Sequence, residues 1–397
     1  MQSGFVGGWI VLHLLQRGED PRKIRVLDIR LPVRPDLTTG LATYVDFMTV
    51  DISDEKAVEN AFKSPWPTRS DKDSPLQITV FHTAACIRFY ERHPSLIPYS
   101  AAVNTDGTKN IINAARLVGA SIMVFTSSAS LAVKVSRSLL WPWEKEPTHF
   151  AQVIKEDIPK MRPHGDFTSN YSFTKACAEQ LVREADRSPS GHGVLRTGCV
   201  RSANVYGPGG DLSFGFLLAR RTNPSWMSNM AHSHIYVENC SIAHLLYEQR
   251  LIEISNAGGS AIDIGGQAFC VKDPGPPLTY GDAFLTLKTL TNGETSFPSV
   301  SPTILLLLAH MIELYYLTRH FLLASAPFIG SIIPPIPDEL VKLQPAAFRV
   351  IEIHVIVDDS MARLPPEKGG LGYKGVCTTL EGLHLLVDAS KKPSGKI

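Results

Sequence analysis

Apolar and polar positions alternate in short blocks over the first 200 residues. Trp9 to Gln16 has a helical pattern. Ile24 to Leu27 is a short apolar run closed by Asp28, which predicts a buried strand, and a second short strand is predicted near Tyr44 to Thr49. Asp51 to Phe62 predicts a helix, the polar, proline-rich Pro65 to Pro75 a loop, and Ile78 to His82 a strand. Asn104 to Leu117 places its apolar residues on one helical face, Ser121 to Thr126 is a strand, Asn170 to Glu184 a helix and Gly193 to Val200 a strand. Strands alternating with helices predict an α/β fold, a doubly wound parallel sheet covered on both faces.

Beyond Tyr206 the alternation fades and Pro/Gly-rich loops appear at Tyr206 to Gly210 and Pro274 to Pro277. The expected organisation is therefore a nucleotide-binding domain over 1–205 and a smaller C-terminal substrate lobe over 206–397. Within the lobe, TILLLLAHMIELYYLTRHFLL (303–323) is about long enough to span a bilayer. It also carries His310, Glu313, Arg319 and His320, and a mid-bilayer charge costs roughly 2.5–3.5 kcal/mol. At 100° per residue, His310, Glu313 and His320 fall on one stripe. Two readings stand ahead of a span: a helix lying in a membrane surface, and a helix buried in the lobe.

Lys and Arg number 39 against 38 Asp and Glu, so no basic arm or acidic tail asks for nucleic acid. The six cysteines are scattered without a C-x-x-C pair, which points neither to a zinc site nor to a disulfide framework. The first ten residues do not have the pattern of a secretory signal, and a reducing compartment is expected. No metal is expected: His82 has no second ligand type at coordinating spacing and is read as a packed strand histidine.

The chain opens on MQSGFVGGWI, the second half of a glycine-rich turn with no strand before it. In dinucleotide folds such a turn lets the backbone approach a pyrophosphate seated on the helix N-terminus. Gly4, Phe5, Val6 and Gly7 would supply it. Asp28 ends the next strand, 21 residues after Gly7, where a carboxylate accepts hydrogen bonds from the ribose hydroxyls of NAD and repels a 2′-phosphate. NAD is therefore expected ahead of NADP, although Arg30 two positions on blurs the preference. Asp51 and Ile52 lie at a strand end suited to an adenine edge. VFHTAA ends in Ala84 and Ala85, small residues of the kind needed where backbone passes close to a cofactor.

Two stretches carry chemistry: VFTSSAS, with Ser127 and Ser128 just past a strand, and NYSFTKACAEQ, with Tyr171 and Lys175 four apart on one helix face. A free phenol has a pKa of ~10. A neighbouring ammonium and a cationic nicotinamide favour the phenolate. Tyr171 would then accept a proton from a substrate alcohol, with Ser128 bonded to the same oxygen and Lys175 serving both the phenol and the nicotinamide ribose.

The ordered set GFVGG, LDIR, VDISD, VFHTAA, VNTDGTKNII, VFTSSAS, YSFTKACAEQ and RSANVYGPGG resembles the extended short-chain dehydrogenases/reductases. HIYVENCSIAHLL, GGQAFCVKD and LGYKGVCTTLEGL resemble the 3β-hydroxysteroid dehydrogenase branch, and within it the fungal sterol-4α-carboxylate 3-dehydrogenases (decarboxylating). The resemblance implies a Rossmann-type fold, NAD(P), and catalysis by Ser128, Tyr171 and Lys175. It implies cofactor contacts from Gly4, Phe5, Val6, Gly7, Asp28, Asp51, Ile52, Ala84, Ala85, Tyr171 and Lys175, with Asn104 bracing the site. It also implies a sterol or triterpenoid substrate and a place on the cytoplasmic face of the endoplasmic reticulum or on a lipid droplet, through peripheral contact by the segment at 303–323. A cytoplasmic location is the alternative, and a homodimer is a further expectation.

Two departures stand out. Ser128 and Tyr171 are 43 residues apart, long for the family, and the added stretch LLWPWEKEPTHF holds Trp141 and Trp143, either a lid over an apolar substrate or a surface excursion. The first strand and first glycine of the fold are absent, as from a late recorded start or a natural truncation, and weak NAD binding is the expected consequence. The leading activity is oxidation of a 3β-hydroxyl, with loss of a C4 carboxylate where one is present. The alternatives are a reductase or epimerase of another small molecule, such as a dihydroflavonol or nucleotide sugar, and a non-catalytic truncated member.

Overall fold

A computed structural model describes residues 4–67, 77–136, 143, 146, 148–156, 161–256 and 262–391. Most of the loop expected at Pro65 to Pro75, and Trp141 of the long insertion, lie outside the described residues.

Helix α1 (Phe5–Gln16) is apolar almost all round and buries Gly7, Gly8, Ile10, Val11 and Leu14. It stops where Gly18 adopts φ +93° and the amides of Gly18 and Glu19 fold back onto the carbonyls of Leu15 and Leu14. Strands β1 (Arg25–Asp28) and β2 (Asp46–Thr49) follow and pair in parallel. The helix expected from Asp51 begins later: α2 spans Glu55–Lys63, with the Asp54 side chain accepting the Ala57 amide at 3.0 Å. Asp51 instead closes a turn on the amide of Ser53 at 2.9 Å, the local bond that draws aspartate out of helix interiors.

Strand β3 (Thr79–His82) leads to helix α3 (Gly107–Leu117), whose expected start at Asn104 falls in a wider turn over Ala102–Asp106. Strand β4 (Ile122–Ser128), helix α4 (Asn170–Glu184) and strand β5 (Gly193–Ser202) come next. Past residue 205 the chain returns to the same layers. Helix α5 (Val237–Asn256) packs against α1, and strand β6 (Ala268–Val271) pairs in parallel with β5.

The order β6-β5-β4-β3 is one parallel run, and β1-β2 is a separate pair. Between them lies a cleft of about 680 Å³ lined by Val26 and Leu27 of β1 and by Val80 and Phe81 of β3. Among the described residues no strand pairs with the cleft-side edge of either. Among the described residues the two parallel sets are thus not joined by hydrogen bonds between strands. What holds the two parts together is the helical layers. Ile10 and Val11 of α1 pack on Val26, and Val58 and Ala61 of α2 share a core with Ile111, Ile112, Met123 and Phe125.

A small four-stranded sheet joins Ala151–Ile154, His354–Val357, Ala231–His232 and Leu278–Thr279, so the long insertion after β4 pairs with the C-terminal part of the chain. Helix α6 (Pro302–Ser325) contains the apolar segment and opens with proline in its first turn, where no amide is lost. Among the described residues no helix is long and apolar enough to cross a membrane. The expected polar stripe does not share one environment. His310 is exposed and bonds the Leu306 carbonyl at 2.9 Å, whereas Glu313 turns inward, 9% exposed, because Arg92 waits there. The opposite side carries exposed Ile304, Leu307, Met311 and Leu314.

Candidate active site

The Ser-Ser pair ends β4, and the pleat sends its two side chains apart. Ser127 is buried and donates to Glu179 Oε2 at 2.6 Å. Ser128 faces the other way, where its Oγ accepts the Ser130 amide at 3.2 Å, hydrogen-bonds Ser130 Oγ at 2.8 Å and lies beside the Tyr171 phenol. Helix α4 is started by Ser169, whose Oγ accepts the Ser172 amide, and this places Tyr171 in the first turn and Lys175 one turn on. Ser128 and Tyr171 are therefore brought together by a strand end and a helix start that are 43 residues apart.

Burial pushes the Tyr171 phenol up to about 12, and the neighbouring Ser128 hydroxyl pulls the other way. Lys175 is 2% exposed, and burial pushes its ammonium down to about 7. Its Nζ donates to the Thr126 carbonyl at 2.5 Å and sits 4.0 Å from the centroid of the Phe125 ring.

Asn104 is 1% exposed and accepts the Cys86 amide at 2.7 Å, while its own amide group donates to the Cys86 carbonyl (3.1 Å) and to Thr174 Oγ1 on α4 (3.0 Å). It ties the chain just past the half-buried Ala84 and Ala85 to the helix that carries Tyr171. His82 is packed, neutral and bonded to Thr108 Oγ1 at 2.8 Å; burial and the Lys175 charge hold its pKa far down.

Gly4 is the N-cap of α1, and no side chain caps the first turn. Phe5 and Val6 are half-buried and Gly7 is buried. A side chain at Gly210, whose φ is +139°, would press on Phe5. An uncapped helix N-terminus walled by glycines fits the pyrophosphate of a dinucleotide. Asp28 is buried at the end of β1, and its Oδ1 accepts the Arg30 amide at 3.1 Å. Ile52 is buried against Gly107, where no Cβ would fit, and Asp51 is exposed beside it.

Sequence reasoning missed three participants. Arg34, held by Asp36 at 2.6 Å, donates to the Gly4 carbonyl at 3.0 Å and packs on Gly209, clasping the glycine turn. Glu179 forms a buried bidentate pair with Arg201, at 2.9 and 2.6 Å. Its signal was available, since it lies four residues after Lys175 on the buried face of α4. Thr126 contributes only a carbonyl, which no motif records.

The model of the 3-beta hydroxysteroid dehydrogenase/isomerase family matches residues 2–292. The chain is 26% identical over 350 residues to the 3beta-hydroxysteroid-dehydrogenase/decarboxylase isoform 2 of Arabidopsis thaliana, covering 87% of this chain and 52% of that protein. It therefore spans about half the length of that relative, and 61% of the length of isoform 1. It is 26% identical to the decarboxylating sterol-4-alpha-carboxylate 3-dehydrogenase of Candida albicans, covering 97% of this chain and 95% of that one. Among solved structures, the UDP-glucose 4-epimerase of Thermus thermophilus, in complex with NAD, superposes with a TM-score of 0.55 at 20% identity, covering 97% of this chain and 96% of that chain. That likeness shows the fold. With residues 2–292 matched and the glycine turn, Ser128, Tyr171 and Lys175 inside that span, the chain belongs to the 3-beta hydroxysteroid dehydrogenase/isomerase family.

Proposed function

We propose that this protein oxidises a 3β-hydroxyl of a sterol or triterpenoid with NAD, through Ser128, Tyr171 and Lys175. The observation that carries the reading is that the end of β4 and the first turn of α4 bring Ser128 beside the phenol of Tyr171, with Lys175 one turn on, inside a chain of this family. NAD, when bound, supplies the acceptor for the hydrogen leaving C3 and a positive ring charge. Gly4 and the first turn of α1 would hold its pyrophosphate, and Asp28 its adenosine ribose. Arg34 keeps the turn in shape.

Ser128 orients the substrate hydroxyl, and Tyr171 Oη takes its proton. A phenol near 12 is too weakly ionised at neutral pH to do this unaided. A bound nicotinamide ring would supply the positive charge that the phenol lacks here. Lys175, bonded to the Thr126 carbonyl one turn after Tyr171, would hold the nicotinamide ribose when NAD is bound. Where the substrate carries a C4 carboxylate, the 3-ketone is β to it and accepts the electron pair released with CO₂. The protein then needs to make only the ketone. Proximity of the relatives that are named decarboxylases supports this choice.

Tyr171→Phe is the test. Reduced cofactor should form with a 3β-hydroxysterol acid in the parent protein and fall by at least about a hundredfold in the variant. Equal rates would overturn the assignment. A second reading, a member that folds but does not turn over, is favoured by the open cleft between β1 and β3. A dissociation constant for NAD in the millimolar range would support it, and a micromolar one would reject it.

The exposed apolar side of α6 supports a further part of the proposal, that this helix lies against a lipid surface such as the endoplasmic reticulum or a lipid droplet.

A further inference from the structure

The segment Cys86–His93 runs between α4 and α6 and is fastened to both. On one side, the amide of Asn170, the first residue of α4, donates to the Glu91 carbonyl at 2.7 Å. The Asn170 side chain donates to the His93 carbonyl at 3.0 Å. On the other side, the Glu91 carboxylate accepts the Tyr316 hydroxyl of α6 at 2.8 Å. It also takes the Arg88 guanidinium in a bidentate pair. Arg88 bonds the same tyrosine at 2.8 Å, and Arg92 forms a second bidentate pair with Glu313 of α6, 2.6 Å on each arm. Glu91 is fully buried.

Glu91 therefore touches the catalytic helix with its main chain and α6 with its side chain. The first amides of a helix have no partner inside it, so whatever accepts them fixes where the helix begins. Here Ser169 accepts the amides of Ser172 and Phe173, whereas the first amide of all, that of Asn170, goes to the Glu91 carbonyl, and Tyr171 follows Asn170 directly. We propose that Glu91 is a positioning residue: it sets the place of the Tyr171 phenol, and it ties that place to α6. The proposal rests on the reading of Tyr171 as proton acceptor. It makes α6 part of the active-site scaffold as well as an outer surface.

The test compares Glu91→Ala, Glu91→Gln and Tyr316→Phe in the full chain, reading kcat, KM, NAD affinity and melting temperature separately. Misplacing a reacting group by a fraction of an ångström lowers turnover without weakening ground-state binding. Glu91→Ala should lower kcat by at least about tenfold with the NAD dissociation constant unchanged. Glu91→Gln keeps the shape and an acceptor for Tyr316, and should recover most of the loss. Tyr316→Phe should lower kcat by about threefold and leave NAD affinity alone, and it carries the test if Glu91→Ala does not fold. Parental kcat in Glu91→Ala, or in Tyr316→Phe where that variant stands alone, overturns the proposal. Loss of kcat and NAD affinity together, equally in Ala and Gln, also overturns it. Tyr171→Phe separates the two readings: if it is inactive while Glu91→Ala is fully active, only the positioning role fails; if Tyr171→Phe is active, the functional reading fails.

Discussion

Lys175 carries the sharpest consequence for a single residue. Its folded pKa is about 7 against an ordinary 10.5, so between those values the unfolded chain binds the extra proton. Stability must therefore rise with pH from about 7 towards 10.5 as far as Lys175 is concerned. Lys175→Met removes the burial penalty and should raise stability to urea at neutral pH by about 1 kcal/mol or more while abolishing turnover. A less stable Met variant would show that the bond to Thr126 outweighs burial. Asp28 makes a different prediction. Asp28→Ala removes the carboxylate proposed to meet the ribose, so the preference for NAD over NADP should fall by about tenfold or more, measured as the ratio of dissociation constants. An unchanged ratio would place the ribose elsewhere.

Among the elements, α4 is fastened most firmly. Glu179 joins Ser127 of β4 to Arg201 of β5, and Arg201 has no exposed surface. Glu179→Ala would leave that guanidinium buried and unpaired, a loss of about 3–5 kcal/mol read by denaturant unfolding. A loss under about 1 kcal/mol would mean that the carbonyls of Lys155 and Glu156 suffice for Arg201. Helix α6 is tested by its outer face. Leu307→Glu with Leu314→Glu should abolish sedimentation with phospholipid vesicles and leave the melting temperature unchanged. Binding that survives both charges would remove the lipid surface from the proposal. The elements also show how far sequence reaches. The strands β1, β3 and β4 and the helix α4 were legible because burial on one face leaves a period in the apolar residues. The starts of α2 and α3 were not, because local side-chain bonds at Asp51 and a wide turn at Asn104 move a boundary without changing the period. Tyr171 and Ser128 were legible from type and spacing. Arg34 and Glu91 were not, since each acts through a main-chain carbonyl contact between residues far apart in sequence, which leaves no pattern in one chain.

For the whole molecule, the buried histidines set the acid limit. Burial lowers His232 and His244 to about 4 and His234 to about 3. An unfolded histidine takes its proton near 6.5, so stability is intact above that value and is lost as pH falls from about 6.5 towards 3. Urea midpoints should fall steeply between pH 7 and 5, and a flat profile would contradict the neutral, packed state of these side chains. The two-part sheet adds a second property of the whole. Among the described residues the strand edges that face the cleft are joined through the helical layers and not by strand pairing, so amides of β1 and β3 should exchange with solvent faster than those of β4 and β5. The central claim is that Tyr171 takes the proton as hydrogen leaves C3 for NAD. It is tested most directly by incubating the protein with NAD and a 3β-hydroxysterol 4-carboxylic acid deuterated at C3, and weighing the cofactor afterwards. Deuterium should appear in the reduced cofactor of the parent protein and not in that of Tyr171→Phe. Unlabelled cofactor in both, or equal label in both, would contradict it.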